Sequence, residues 1–116
     1  MELGANDALR GYQLTTVRAN LDAIVADSRA TGARVLVLGM RIPPNYGPAY
    51  GREFSELFGT VAKASKSALV PFLLEGFAER RDLFQDDGIH PGIAAQTIMA
   101  DTVLAALRPL LAPLKR

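Results

Sequence analysis

This chain of 116 residues contains no cysteine. Disulfides, thiolate nucleophiles and cysteine-based metal sites are therefore excluded. It also lacks an excess of charge of either sign, since 13 Lys and Arg stand against 12 Asp and Glu for a net charge of +1. That balance gives no electrostatic case for nucleic acid or for an acidic membrane surface as a partner. No apolar run approaches the ~20 residues that a membrane span needs. No basic-then-apolar segment opens the sequence. Internal repeats and low-complexity tracts are absent, and no metal or redox cofactor is implied. Histidine occurs once, as His90.

What is present fits one small domain. Hydrophobic residues make up 49% of the chain, enough for a core of modest size. Leu14, Val17, Leu21, Ile24 and Val25 fall at helical spacing, with Thr15 or Thr16 as a cap and Gly32 as the stop after Thr31. The run from Ala33 to Met40 is short, apolar, rich in branched residues and bounded by glycine. It predicts a strand buried on both faces of a parallel sheet. Residues 41–51 hold three prolines and two glycines and read as an irregular loop after a strand's carboxyl end, where open α/β sheets place ligands. Tyr46 and Tyr50 on it read either as flanking a substrate or as packing the loop onto the domain.

A second helix is predicted from Arg52 to Lys66, with Phe54, Leu57, Phe58, Val61 and Ala62 on its apolar face. A strand follows from Ala68 to Leu74, near a sheet edge because Pro71 cannot donate to a ladder. Glu75 to Gln85 reads as a connection with one helical turn around Phe77 to Arg81. Ile93, Ala94, Ile98, Val103, Ala106, Leu107 and Leu110 predict a last helix, opened by Pro91 and ending near Pro109. Pro113 and Lys115-Arg116 read as a tail. Alternating helices and strands imply parallel strands in a layered α/β fold.

Two stretches carry chemistry. Asp86-Asp87-Gly88-Ile89-His90-Pro91 sets a carboxylate three residues before the single imidazole, and such a pair is the base half of a charge relay. The bland alternative is a cap and a surface pair. At the other end, Glu2-Leu3 has strand-like character and Gly4-Ala5-Asn6-Asp7 reads as a turn. Asn6 and Asp7 either satisfy free backbone groups or present an amide that can donate to a developing oxyanion. Leu9 to Gln13 reads as a mobile loop lining an apolar pocket or as a packed connection. A strand beginning at the first residue has almost no length, so upstream sequence is expected.

Together, Gly4-Ala5-Asn6-Asp7 and Asp87-Gly88-Ile89-His90-Pro91 resemble the Gly-x-Asn-Asp and Asp-x-x-His blocks of the SGNH (GDSL) hydrolases. The intervening Asn45-Tyr46-Gly47 and Val70-Pro71-Phe72 are similar to those of the acyl-CoA thioesterase I, lysophospholipase and arylesterase branch. The resemblance implies a three-layer α/β/α, flavodoxin-like fold with a parallel sheet, of which residues 1–116 would form the carboxyl-terminal portion. It implies His90 as general base, Asp87 as the group that orients it, and Asn6 as an oxyanion donor. Asp7 to Gln13 would be a mobile loop beside the acyl chain, and Gly4, Asp7, Leu9, Tyr12, Ile42 and Tyr46 would contact substrate. Ala5 stands where many members carry a second glycine.

The family's Gly-Asp-Ser block is absent, and Ser28, Ser55, Ser65 and Ser67 all fall in or at the ends of predicted helices. The expectation is a serine hydrolase of acyl esters or thioesters whose nucleophile lies outside these residues. The alternative is an inactive remnant that at most binds acyl ligands. An open sheet edge and exposed apolar surface imply a homo-oligomer or association with a missing amino-terminal segment. The compartment stays open, although members of this branch are often periplasmic or secreted.

Overall fold

Leu36–Leu38 and Ala68–Val70 form β1 and β2, a parallel pair, in a computed structural model that describes residues 1–111. The register sets Leu36 beside Ala68, Val37 beside Leu69 and Leu38 beside Val70. Parallel pairing agrees with the helix–strand alternation, but both strands are shorter than their apolar runs. Beyond Val70 comes Pro71, which has no amide to donate. The Gly39 amide still reaches the Val70 carbonyl at 2.7 Å, just past the end of β1. Val35 and Val37 are buried while Leu36 and Leu38 are only half-buried, so one face of β1 is covered and the other is not.

The described chain divides into two units, Met1–Phe72 and the residues from Leu73 onward. In the first, Met1 lies along β1. Its amino group donates to the Leu36 carbonyl at 2.6 Å and its carbonyl accepts from Leu38 at 2.9 Å. Glu2 and Leu3, expected in a strand, are exposed and belong to none. The expected turn at Gly4 to Asp7 is the start of a short helix, α1, Ala5–Leu9.

Helix α2 spans Leu14–Ala30 and is capped at Gln13, with Thr15 and Thr16 inside it. It ends at Thr31 and Gly32 as the sequence indicates, and the Gly32 amide returns to the Arg29 carbonyl at 2.9 Å. Val17, Leu21 and Val25 are buried, whereas Ile24 is 38% exposed. The stripe narrows to one residue per turn because α2 packs chiefly against a single neighbour, α3.

Helix α3, Pro48–Ser65, starts four residues before the expected Arg52. Proline at the first helical position loses no intrahelical bond, so Pro48 opens the helix instead of prolonging the loop. A short 3-10 turn, Pro44–Tyr46, precedes it. Phe54, Leu57, Phe58, Val61 and Ala62 are all buried, and the Phe54 and Phe58 rings meet edge-to-face at 5.1 Å. With Val17, Leu21, Val25, Val35 and Val37 they make the core of this unit.

In the second unit Leu73, Leu74, Phe77, Leu83 and Ala95 are buried. Leu73 and Leu74, expected to continue β2, lie in turns, and the single helical turn falls at Arg81–Leu83. Pro91 does not open the last helix. It pairs with Phe84 in an antiparallel bridge, and the helical path begins with a 3-10 turn at Ile93–Ala95 before α4, Gln96–Leu111. That turn has three residues per revolution, which shifts the phase of the apolar stripe. Ala95 therefore turns inward while Ile93 is 94% exposed. Helix α4 has no fully buried residue and carries Pro109 inside it. Pro109 forfeits one amide donor near the helix end, and the helix runs on to Leu111. The expected tail at Pro113 and Lys115-Arg116 lies outside the described residues. Among the described residues no helix is long and apolar enough to cross a membrane.

Candidate active site

The single histidine sits at the carboxyl end of a small closed loop, beside the bridge that closes it. The Phe84–Pro91 bridge brings its two ends together. The Gln85 amide donates to the His90 carbonyl and the Gly92 amide to the Leu83 carbonyl, each at 2.7 Å. Inside the loop the Gly88 amide closes a turn onto the Gln85 carbonyl at 2.9 Å. The Gln85 side chain adds a bond from Nε2 to the Pro91 carbonyl at 3.3 Å. Gln85 is a loop-closing position that sequence reasoning missed. It stands just outside the Asp-x-x-His motif, and only the bridge gives it a role.

Within this loop one carboxylate does two things. Asp87 Oδ1 accepts the backbone amides of Ile89 at 2.9 Å and His90 at 3.0 Å. Asp87 Oδ2 lies 2.6 Å from His90 Nδ1. An Asp side chain that bonds backbone amides two and three residues on is standard turn chemistry, and here it also fixes the carboxylate for the ring. The turn contact and the ring contact of this Asp are therefore two halves of one arrangement. Both side chains are accessible, at 67% for His90 and 43% for Asp87. With Nδ1 occupied, Nε2 is left without a partner among the described residues.

The bond to His90, followed by the two amides, holds the Asp87 carboxyl at about 2, below its ordinary 3.8. A lowered value means that the folded loop favours the ionised form. The order it confers is complete above about pH 4 and is lost as the pH falls through about 2. The Asp87 carboxyl carbon, followed by NMR, is expected to titrate with a midpoint near 2, together with the amide shifts of Ile89 and His90. A midpoint at the ordinary carboxylate value would contradict the geometry.

In the first unit the Gly-x-Asn-Asp stretch forms the start of α1. Gly4 precedes the helix, and neither Asn6 nor Asp7 caps it with a side chain. The Asn6 side chain is exposed and makes no hydrogen bond among the described residues, so its amide is free to donate. Gly4 is left-handed at φ +103°, and a Cβ there would come into van der Waals contact with Val17, Leu21 and Phe58. Ile42, expected at the substrate, is half-buried against the core cluster.

Tyr46 and Tyr50 do pack the loop. The Tyr46 hydroxyl donates to the Leu9 carbonyl at 2.6 Å and the Tyr50 hydroxyl to the Tyr12 carbonyl at 2.7 Å. Their rings stack 6.4 Å apart. Burial, then Tyr46 and Asp7, push the Tyr50 phenol above its ordinary range, which keeps it a donor. Of the two readings that the sequence left open for Tyr46 and Tyr50, the structure shows the packing one, with Tyr46 at the end of the 3-10 turn and Tyr50 in the first turn of α3. The structure thus joins Leu9, Tyr12, Tyr46 and Tyr50 in one group and Asp87 with His90 in another. Asn6 belongs to the first unit and the Asp–His pair to the second.

Comparison with known proteins decides the family. Residues 1–98 match the model of the GDSL-like Lipase/Acylhydrolase family. The chain belongs to that family. Esterase TesA of Pseudomonas aeruginosa is 48% identical over 111 residues, which cover 96% of this chain and 55% of that protein. Thioesterase 1/protease 1/lysophospholipase L1 of Escherichia coli K12 is 39% identical over 110 residues, covering 95% and 53%. A crystal structure of TesA matches with a TM-score of 0.89 at 48% identity, covering 94% of this chain and 61% of that one. The chain spans about half the length of the curated relatives it matches. The fold is that of the SGNH hydrolases, here rich in helix with a small parallel sheet.

For a GDSL-like acylhydrolase the serines are the next residues to place. Ser28, Ser55 and Ser65 donate to helical carbonyls at 2.8–2.9 Å. Ser67 pairs with Ser65 at 2.7 Å. None of the four follows a Gly-Asp pair.

Proposed function

We propose that this chain carries the base and one oxyanion donor of a serine hydrolase that cleaves acyl esters or thioesters. The observation that carries the reading is the 2.6 Å contact between Asp87 and His90 Nδ1, on a carboxylate already braced by two amides. A carboxylate on Nδ1 fixes the tautomer in which Nε2 is the unprotonated base. His90 Nε2 would take the proton of a serine hydroxyl as its oxygen attacks the acyl carbon. It would then hand that proton to the departing alcohol or thiol, and a water would repeat the cycle to release the acid. Asn6 would donate to the oxyanion. Gly4, Asp7, Leu9, Tyr12, Ile42 and Tyr46 would border the substrate, with Ile42 and Tyr46 acting through packing.

In this reading the nucleophile is none of the four serines, since all of them bond within or beside helices. It comes from a segment or chain beyond these 116 residues. The same reading includes association with such a segment or with a second copy. Exposed Leu3 and Tyr12 and the half-open face of β1 support it.

Incubated alone with a short-chain aryl ester and with a fluorophosphonate probe, the purified chain is expected to show near-background turnover and no labelled serine. Turnover with labelling at Ser28, Ser55, Ser65 or Ser67 would defeat the assignment of the nucleophile.

A further inference from the structure

The carboxyl end of α1 leaves a small hydrogen-bond account to settle. A helix exposes its last four carbonyls unless something else meets them. Here the Arg10 amide reaches Asn6, the Gly11 amide reaches Ala8 and the Tyr12 amide reaches Asp7. This is a Schellman closure with Gly11 in the left-handed region at φ +73°. One carbonyl of the four, that of Leu9, takes only a phenol, Tyr46. The next carbonyl in need, that of Tyr12, takes the other phenol, Tyr50.

These two bonds reach across 37 and 38 residues, one to the 3-10 turn at Tyr46 and one to the first turn of α3 at Tyr50. Between them the chain from Arg10 to Gln13 is exposed at every residue. A five-residue helix does not hold itself in water. Hence this segment rests on its own closure, on buried Ala8, and on the two phenols.

We propose that Tyr46 and Tyr50 form a two-point latch that holds the Leu9–Tyr12 segment shut against α3 and sets how often it opens. The two bonds are spaced like a strap fastened at both ends, one at the last helical carbonyl and one past the left-handed glycine. Each bond carries one phenol proton, and the Tyr50 hydroxyl also lies 3.5 Å from the Ala8 carbonyl, so it spans both sides of the helix end. Loss of one hydroxyl leaves its carbonyl to water, and the segment then opens locally without disturbing the core. The rings stay in place, because their stacking and the contact of Tyr50 with the core do not involve the hydroxyls. What the strap would cover rests on the esterase reading above, in which Leu9 and Tyr12 border an acyl chain.

Trypsin reports the opening directly, because Arg10 lies inside the strap and Gly11 follows it. Cleavage of a transiently opened segment tracks its open population when closing is fast. In the intact chain, Tyr46→Phe and Tyr50→Phe are each expected to speed cutting after Arg10 about tenfold, and the double variant more. Cutting after Arg18 in α2 and Arg52 in α3 should stay at the parent rate, and so should the thermal midpoint. Equal acceleration at all three arginines would mean that the hydroxyls stabilise the whole unit, and the latch would be wrong. An unchanged rate after Arg10 would also overturn it. Amide hydrogen exchange at Gly11 and Tyr12 gives a second reading that needs no protease. Repeating the digestion with octanoate separates the two ideas. A changed rate after Arg10 supports the acyl border, whereas no change counts against that border and leaves the latch standing.

Discussion

His90→Ala is expected to lower kcat by about 10⁴-fold or more in a chimera that joins the amino-terminal part of Pseudomonas aeruginosa TesA to these 116 residues. The chimera is reasonable because the two proteins are 48% identical over nearly the whole of this chain. His90 is exposed and no core residue leans on it, so the loss would reflect chemistry and not folding. Asp87→Asn is the sharper companion. The Asn carbonyl can still accept the amides of Ile89 and His90, so the loop should keep its shape. Its amide, however, donates to Nδ1 and selects the tautomer with the proton on Nε2, which cannot act as a base. The expected loss is again about 10⁴-fold in kcat, with an unchanged circular dichroism spectrum. Aryl ester turnover measures both. A His90→Ala chimera within tenfold of the parent would remove the relay from this loop.

Gly39→Ala is expected to cause the largest loss of stability. A Cβ at Gly39 would land on the Pro71 carbonyl oxygen, with the Pro71 carbonyl carbon at 2.9 Å and the Val70 oxygen at 3.0 Å. All three are backbone atoms of the chain that pairs with β1, so no rotamer can relieve the clash. Relief requires parting the strand ends, which also breaks the 2.7 Å bond from Gly39 to Val70. Overpacking of this kind costs about 1–3 kcal/mol, and the lost bond adds about 1 kcal/mol. For a unit this small the thermal midpoint should fall by about 10–20 °C, if the variant folds at all. Gly51→Ala is the control, since a Cβ there meets nothing within 4 Å and the residue is helical. It should hold or slightly raise the midpoint. A Gly39→Ala midpoint within about 2 °C of the parent would show that the strand ends can separate freely.

Both predictions bear on what was legible beforehand. The motif residues Asp87 and His90 could be paired from the sequence because they are three residues apart in a turn. The parallel pairing followed from helices alternating with apolar runs. The ends of the strands did not follow, because the run from Ala33 to Met40 looks uniform in one dimension. What stops β1 near Gly39 is the approach of Pro71, a residue 32 positions away in sequence. The exposure of Ile93 was equally hidden, since a 3-10 turn shifted the helical phase by a fraction of a residue per step.

The sequence by itself determined the family, the alternating α/β order and the Asp87–His90 pair. Each of these is written in short local patterns, a motif, a helical or apolar run or a tight turn, where covalent geometry leaves few choices. Only the tertiary structure decided where the strands stop, that Ile42 packs on the core and that Tyr46 and Tyr50 spend their hydroxyls on Leu9 and Tyr12. Those outcomes join residues that loop closure brings together from more than 30 positions apart. Which donor meets which carbonyl at that range is settled by packing, and packing has no trace in local composition.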